Sequence, residues 1–124
     1  FGRRRHFPGI SSSVPFIRAQ AERMAINAPI QGSQSDIIRI AMVEIDQYLK
    51  KEKLEKNVRP LLQVHDELIF EIKDSKVKEV VPKLMEIMSS VLTKEQSKGV
   101  PTIVEAKIGP NWEDLENVKV EDLK

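Results

Sequence analysis

A chain of 124 residues with 40% hydrophobic and 31% charged side chains is long enough for one compact domain and too short for two ordinary ones. Without cysteine it holds neither a disulfide framework nor a cysteine-based zinc site, which agrees with a reducing, cytoplasmic setting. No apolar run reaches membrane-spanning length and no leader composition opens the chain, so a soluble protein with no membrane partner is expected.

The formal net charge of +1 conceals an asymmetry, because Arg3, Arg4, Arg5, Arg18 and Arg23 face only Glu22 in the first 24 residues while the remainder is net acidic. Such a basic segment can steer a polyanion such as nucleic acid, or can be a solvated loop. From Pro15 to Ala28 the residues favour helix. Gln20, Arg23 and Asn27 share one polar face, and Ala21, Met24, Ala25 and Ala28 make a narrow opposite face suited to close packing. Pro29 lacks an amide donor and disfavours helical geometry at Ala28, so a break is expected at Asn27-Ala28-Pro29.

A second helix should then start near Ser33, with Asp36 completing a near relative of the capping box. Ile37, Ile38, Ala41, Met42, Ile45, Tyr48 and Leu49 repeat at helical spacing as its core face. Its first residues, Gln31-Gly32-Ser33, would offer unpaired amides at the positive end of the helix dipole, equally suited to routine capping or to an anion. A charged connector over 50–57 leads to strands at about 58–64 and 67–72, with Leu68, Phe70 and Ile72 on one face.

A third helix follows. Asp74 or Ser75 can cap it, Val77, Val80, Val81, Leu84, Met85, Met88, Val91 and Leu92 form an apolar stripe, and Pro82 should kink it. The alternation from Pro101 to Ile108 predicts a third strand ended by Gly109-Pro110, with Trp112 anchored on the core and residues 113–124 a solvated acidic tail. The expected class is α+β: a small antiparallel sheet, made of the hairpin and a C-terminal strand, with helices packed on one face.

Between the two hairpin strands stands Gln63-Val64-His65-Asp66-Glu67, three ionisable side chains where Asn-Gly or Gly-rich pairs usually serve. Adjacent carboxylates on a semi-buried sheet are costly unless a cation or donor network compensates, and a divalent metal would compensate. Successive strand residues point to opposite faces, so Asp66 and Glu67 should not be equal ligands of one ion, and one of them should dominate. Glu71 lies about 13 Å from Glu67 on a straight strand, too far to share an ion with it. A complete site therefore needs another carboxylate, for which Glu105 is the available candidate within the chain.

Gln63-Val64-His65-Asp66-Glu67 followed by Leu-Ile-Phe-Glu resembles motif C of family A DNA polymerases, the group of bacterial DNA polymerase I. Three further segments agree in order: Phe1-Gly2-Arg3-Arg4-Arg5, the run from Ala21-Glu22-Arg23 through Asn27-Ala28-Pro29-Ile30-Gln31-Gly32, and Gly109-Pro110-Asn111-Trp112. The resemblance spans residues 1 to about 115. It implies part of a palm subdomain: an end of a fingers-type segment and a duplex-facing helix in 1–28, the C-terminal part of the palm in 29–115, and an acidic tail in 116–124.

The resemblance also implies roles. Asp66 would be one of two carboxylates holding a pair of magnesium ions for nucleotidyl transfer from dNTP to a primer 3′ hydroxyl, with Glu67 the supporting acid and His65 near the primer terminus. Gln31 matches a glutamine that probes the minor groove, where every correct pair presents purine N3 or pyrimidine O2 acceptors. Asn27, Arg23 and Gln20 would face the primer-template duplex, and Arg3, Arg4 and Arg5 the template backbone. The family's second carboxylate, in motif A, is missing, as are its nucleotide-binding fingers helix, thumb and exonuclease domain. The chain alone is therefore expected to be inactive without the missing N-terminal part of a polymerase, joined covalently or as a second chain. A non-catalytic nucleic-acid-binding remnant or accessory subunit competes with this reading, and a generic carboxylate-metal hydrolase is the weaker rival.

Overall fold

A computed structural model of the protein describes residues 1–123. Two compact units arise, Phe1–Asp36 and the residues from Ile37 onward, and helix α1, Pro15–Lys51, contributes to both. The expected break at Pro29 is absent. A proline forfeits one amide bond and crowds the carbonyl four residues earlier, but the turns on either side remain helical and carry the chain through. Gln31, Gly32 and Ser33 are consequently mid-helix, with their amides engaged in the helix ladder rather than open to an anion. Asp36 caps nothing; it is buried and paired with Arg3.

In the first unit, a 3-10 turn over Pro8–Ser11 lies back against α1. A Cβ at Gly9 would meet the Ile17 side chain at 3.1 Å and Ala21 Cβ at 3.5 Å, so the absence of a side chain at Gly9 permits that approach.

In the second unit, α1 ends in a Schellman turn. Lys53 takes the left-handed conformation, φ 55°, the Lys53 amide donates to the Lys50 carbonyl and the Leu54 amide to the Leu49 carbonyl. That turn delivers Leu54 onto Leu49, and both join the buried cluster of Ile45, Val58, Val80 and Leu84. Full burial of Ile45, Val58 and Val80 stabilises the unit by roughly 1.5–3 kcal/mol each. Helix α2, Asp74–Ser90, supplies Val80, Val81 and Leu84, as its apolar stripe requires, although neither Asp74 nor Ser75 is its cap: Lys73 occupies that position without a side-chain bond.

Strands β1, Val58–Val64, and β2, Glu67–Ile72, pair antiparallel, with Val64 opposite Glu67 and Val58 opposite Ile72. Register shifts between Pro60 and Leu62, which leaves Leu61 without a ladder partner. The bulge reverses the alternation within β1. Leu68, Phe70 and Ile72 pack on the core as expected, whereas Leu61 and Leu62 are more than half exposed.

The α+β class holds, with a difference at the C-terminus. Of the expected strand Pro101–Ile108 only Ala106–Ile108, β3, is extended in a ladder, and it pairs with β4, Glu116–Val118, in a second two-stranded sheet rather than extending the hairpin. The 94–97 segment forms a short α3 held by a Thr93–Gln96 capping box. Residues 116–123 are folded, not a solvated tail: after β4 a 3-10 turn, Val120–Leu123, lies against α2 with Leu123 buried. Lys124 lies outside the described residues. Gly109 makes the β3–β4 turn possible, since a Cβ there would lie 1.7 Å from the Asp114 carbonyl oxygen. Trp112 is 56% exposed rather than seated in the core, and nearby Asn111 and Asp114 are tied to each other.

Candidate catalytic carboxylates and duplex-facing groove

The hairpin tip is a two-residue turn of His65 and Asp66 between paired Val64 and Glu67. His65 has φ 53°, a left-handed conformation that costs an L-residue about 1 kcal/mol and that histidine adopts more readily than most. Across the turn, the Gln63 side-chain amide donates to the His65 carbonyl at 3.5 Å. The hairpin has accepted strain to put a histidine and an aspartate, rather than Asn-Gly, at its apex.

His65, Asp66 and Glu67 are all exposed. Glu67 opens β2 on the face shared with Ile69 and Glu71, opposite the core-packed face of Leu68, Phe70 and Ile72. Glu105 does not complete a cation site with them: among the described residues no three histidine, aspartate or glutamate side chains stand together to hold a metal ion. The donor chemistry nonetheless fits magnesium, a hard cation commonly bound by one or two carboxylates plus water and substrate phosphate.

The first unit gathers the other candidates. Arg5, Gln20, Arg23, Met24, Asn27 and Gln31 line a shallow open groove of about 250 Å³. Helical spacing explains it, because Gln20, Met24, Asn27 and Gln31 follow at intervals of four, three and four residues and so share a face. Met24 therefore belongs to the polar groove and not to the small-residue face, on which Ala21 is buried and Ala25 and Ala28 half-buried. The i, i+4 step from Gln20 was the available signal.

The three arginines of the N-terminal arm have different surroundings. Arg5 stands at the groove with its guanidinium 5.2 Å from the centre of the Phe7 ring, within cation–π range. Arg4 is exposed. Arg3 is bound within the protein: its Nε donates to Asp36 Oδ2 at 3.0 Å and its terminal nitrogen to Asp36 Oδ1, a two-pronged ion pair. That hydrogen bond, then the charge of Asp36, raises the Arg3 pKa above its ordinary value. No spacing rule connects positions 33 residues apart.

A sequence model of DNA polymerase family A matches residues 1–114. The chain belongs to that family. It is 46% identical to DNA polymerase I of Rhizobium leguminosarum over 114 residues, covering 92% of this chain and 11% of that protein. It is 42% identical to DNA polymerase I of Pseudomonas aeruginosa over 114 residues, 92% of this chain and 12% of that protein. Among solved structures it resembles the POL domain of Pol1 from M. smegmatis in complex with DNA primer-template and dNTP, with a TM-score of 0.69 and 46% identity, covering 74% of this chain and 16% of that one. The chain thus spans about a ninth of the family A relatives it matches. β4 and the final turn lie beyond the matched residues.

Proposed function

We propose that the chain is the C-terminal part of the catalytic domain of a DNA-directed DNA polymerase, joining a dNTP to the 3′ hydroxyl of a primer on primer-template DNA. The observation that carries this is that a single family A chain holds both the Asp66 and Glu67 carboxylates at a hairpin tip and a groove that gathers Gln20, Arg23, Asn27 and Gln31. In that role the Gln31 amide donates to the purine N3 or pyrimidine O2 that every correct pair presents, testing geometry without reading sequence. Arg23, Asn27 and Gln20 extend the contact along the duplex, Arg4 and Arg5 meet backbone phosphate, and His65 meets the primer end.

Asp66 would hold magnesium directly and Glu67 would support it; when bound, two such ions activate the primer hydroxyl and stabilise the leaving pyrophosphate. Holding both ions in place calls for a second coordinating carboxylate beside Asp66. The second must come from the rest of a polymerase, covalently attached or supplied as a separate chain, so the isolated chain is expected to be inactive.

Primer extension tests this. The purified chain should extend nothing alone and should restore extension to a family A polymerase fragment ending before the segment equivalent to Phe1. Asp66→Ala should abolish the restored activity. Extension by the chain alone would falsify the inactivity, and restored extension that Asp66→Ala leaves intact would favour a non-catalytic, nucleic-acid-binding role.

A further inference from the structure

The N-terminal arm is pinned to α1 at both ends of its arginine run. At one end Arg3 grips Asp36 through two donors, and the Arg3 side chain passes within 3.9 Å of the position a Cβ on Gly32 would take. At the other, Arg5 stacks on Phe7 and the turn that follows seats Gly9 against Ile17 and Ala21. Arg4 lies between these anchors, and Arg5 forms part of the groove wall with Gln31 and Arg23.

Asp36 is an expensive choice at a site that is 9% exposed, because a buried carboxylate requires a charged, hydrogen-bonded partner. It also sets a negative charge in the unit that carries the groove. For a surface that only had to attract phosphate, an uncharged residue would serve better. We propose that Arg3 and Asp36 are positioning residues: their ion pair latches the arm so that Arg4 and Arg5 are presented to backbone phosphate beside the groove, and Arg3 itself is not a principal phosphate contact. The inference rests on the duplex-binding role given to the groove above.

Asp36→Asn separates this from simple electrostatics by sign. Removing a negative charge should tighten DNA binding if attraction is all that matters. If the latch operates, Asp36→Asn frees the arm and weakens binding. Arg3→Lys provides a second arm, since lysine keeps the charge but cannot make the two-pronged bond. The experiment is fluorescence anisotropy of the whole chain with a labelled primer-template duplex over a range of salt concentrations, with circular dichroism to compare helix content.

Asp36→Asn and Arg3→Lys should each weaken binding about three- to tenfold, and the salt dependence should fall by about one to two phosphate contacts as Arg4 and Arg5 are released. The exchange Arg3→Asp with Asp36→Arg should recover part of the affinity. Tighter or unchanged binding by Asp36→Asn, with wild-type helix content, would overturn the latch. A helix content lost in Asp36→Asn and not recovered in the exchanged pair would also overturn it, since Asp36 would then be a folding residue. Failure of the wild-type chain to bind the duplex even at low salt would instead overturn the duplex-binding role on which the latch depends.

Discussion

Phe1–Asp36 and the residues from Ile37 onward are held together by different means. The first unit buries few side chains, Ala21 and Asp36 among them, and leaves Phe16, Ile26 and Ile30 more than two-thirds exposed; its order comes from a continuous helix and an arm tied down by an ion pair and a ring contact. The second has a cluster of interlocking aliphatic residues, Ile45, Leu49, Leu54, Val58, Val80 and Leu84, contributed by two helices, a capping turn and a strand. Both carry candidate functional residues at exposed positions, but only the second can draw on substantial apolar burial to support them. Functional and stability effects should therefore separate cleanly by residue.

The largest effect should come from Asp66→Ala in a reconstituted polymerase. Incorporation should fall by about 10³-fold or more, while the melting temperature of the chain changes little, because the side chain is exposed at a turn. A large loss of stability in that variant would erase the separation between the tip and the core beneath it. Next, Ile45→Ala should destabilise the second unit by about 2–5 kcal/mol in urea unfolding, since Ile45 is 1% exposed within the cluster.

Gly109→Ala should cost about 1–3 kcal/mol or separate β3 from β4, which amide exchange at Ala106–Ile108 would register. An unperturbed pair would mean that the close approach to Asp114 is readily relaxed. The smallest expected effect is that of Gln31→Ala. Discrimination of matched from mismatched primer ends should decline by about 1 kcal/mol, with unfolding unchanged within about 0.5 kcal/mol because Gln31 is exposed.

The hairpin strands 58–64 and 67–72, the core face of Leu68, Phe70 and Ile72, and the Val80-Val81-Leu84 stripe were legible because each rests on a short-range hydrophobic period. The polar face of Gln20, Arg23 and Asn27 was legible for the same reason and lines the groove, whereas Gln31 joins it only because α1 runs unbroken through Pro29. Pro29 misled because its effect is local while helix formation is cooperative; the surrounding turns carry the chain through. Trp112 misled in the other direction, an aromatic left exposed where composition suggested an anchor.

By itself, then, the sequence determined the helical faces, the hairpin and the family to which the chain belongs, since motifs and periods are properties of neighbours along the chain. Only the tertiary structure decided that Asp36 pairs with Arg3, that Leu61 bulges out of β1, that Gly109 yields to the Asp114 carbonyl, and that β4 closes on β3. The first joins groups 33 residues apart, and the others depend on how neighbouring strands and turns close on one another in space. No local pattern records such an encounter, because it depends on how every intervening turn is made.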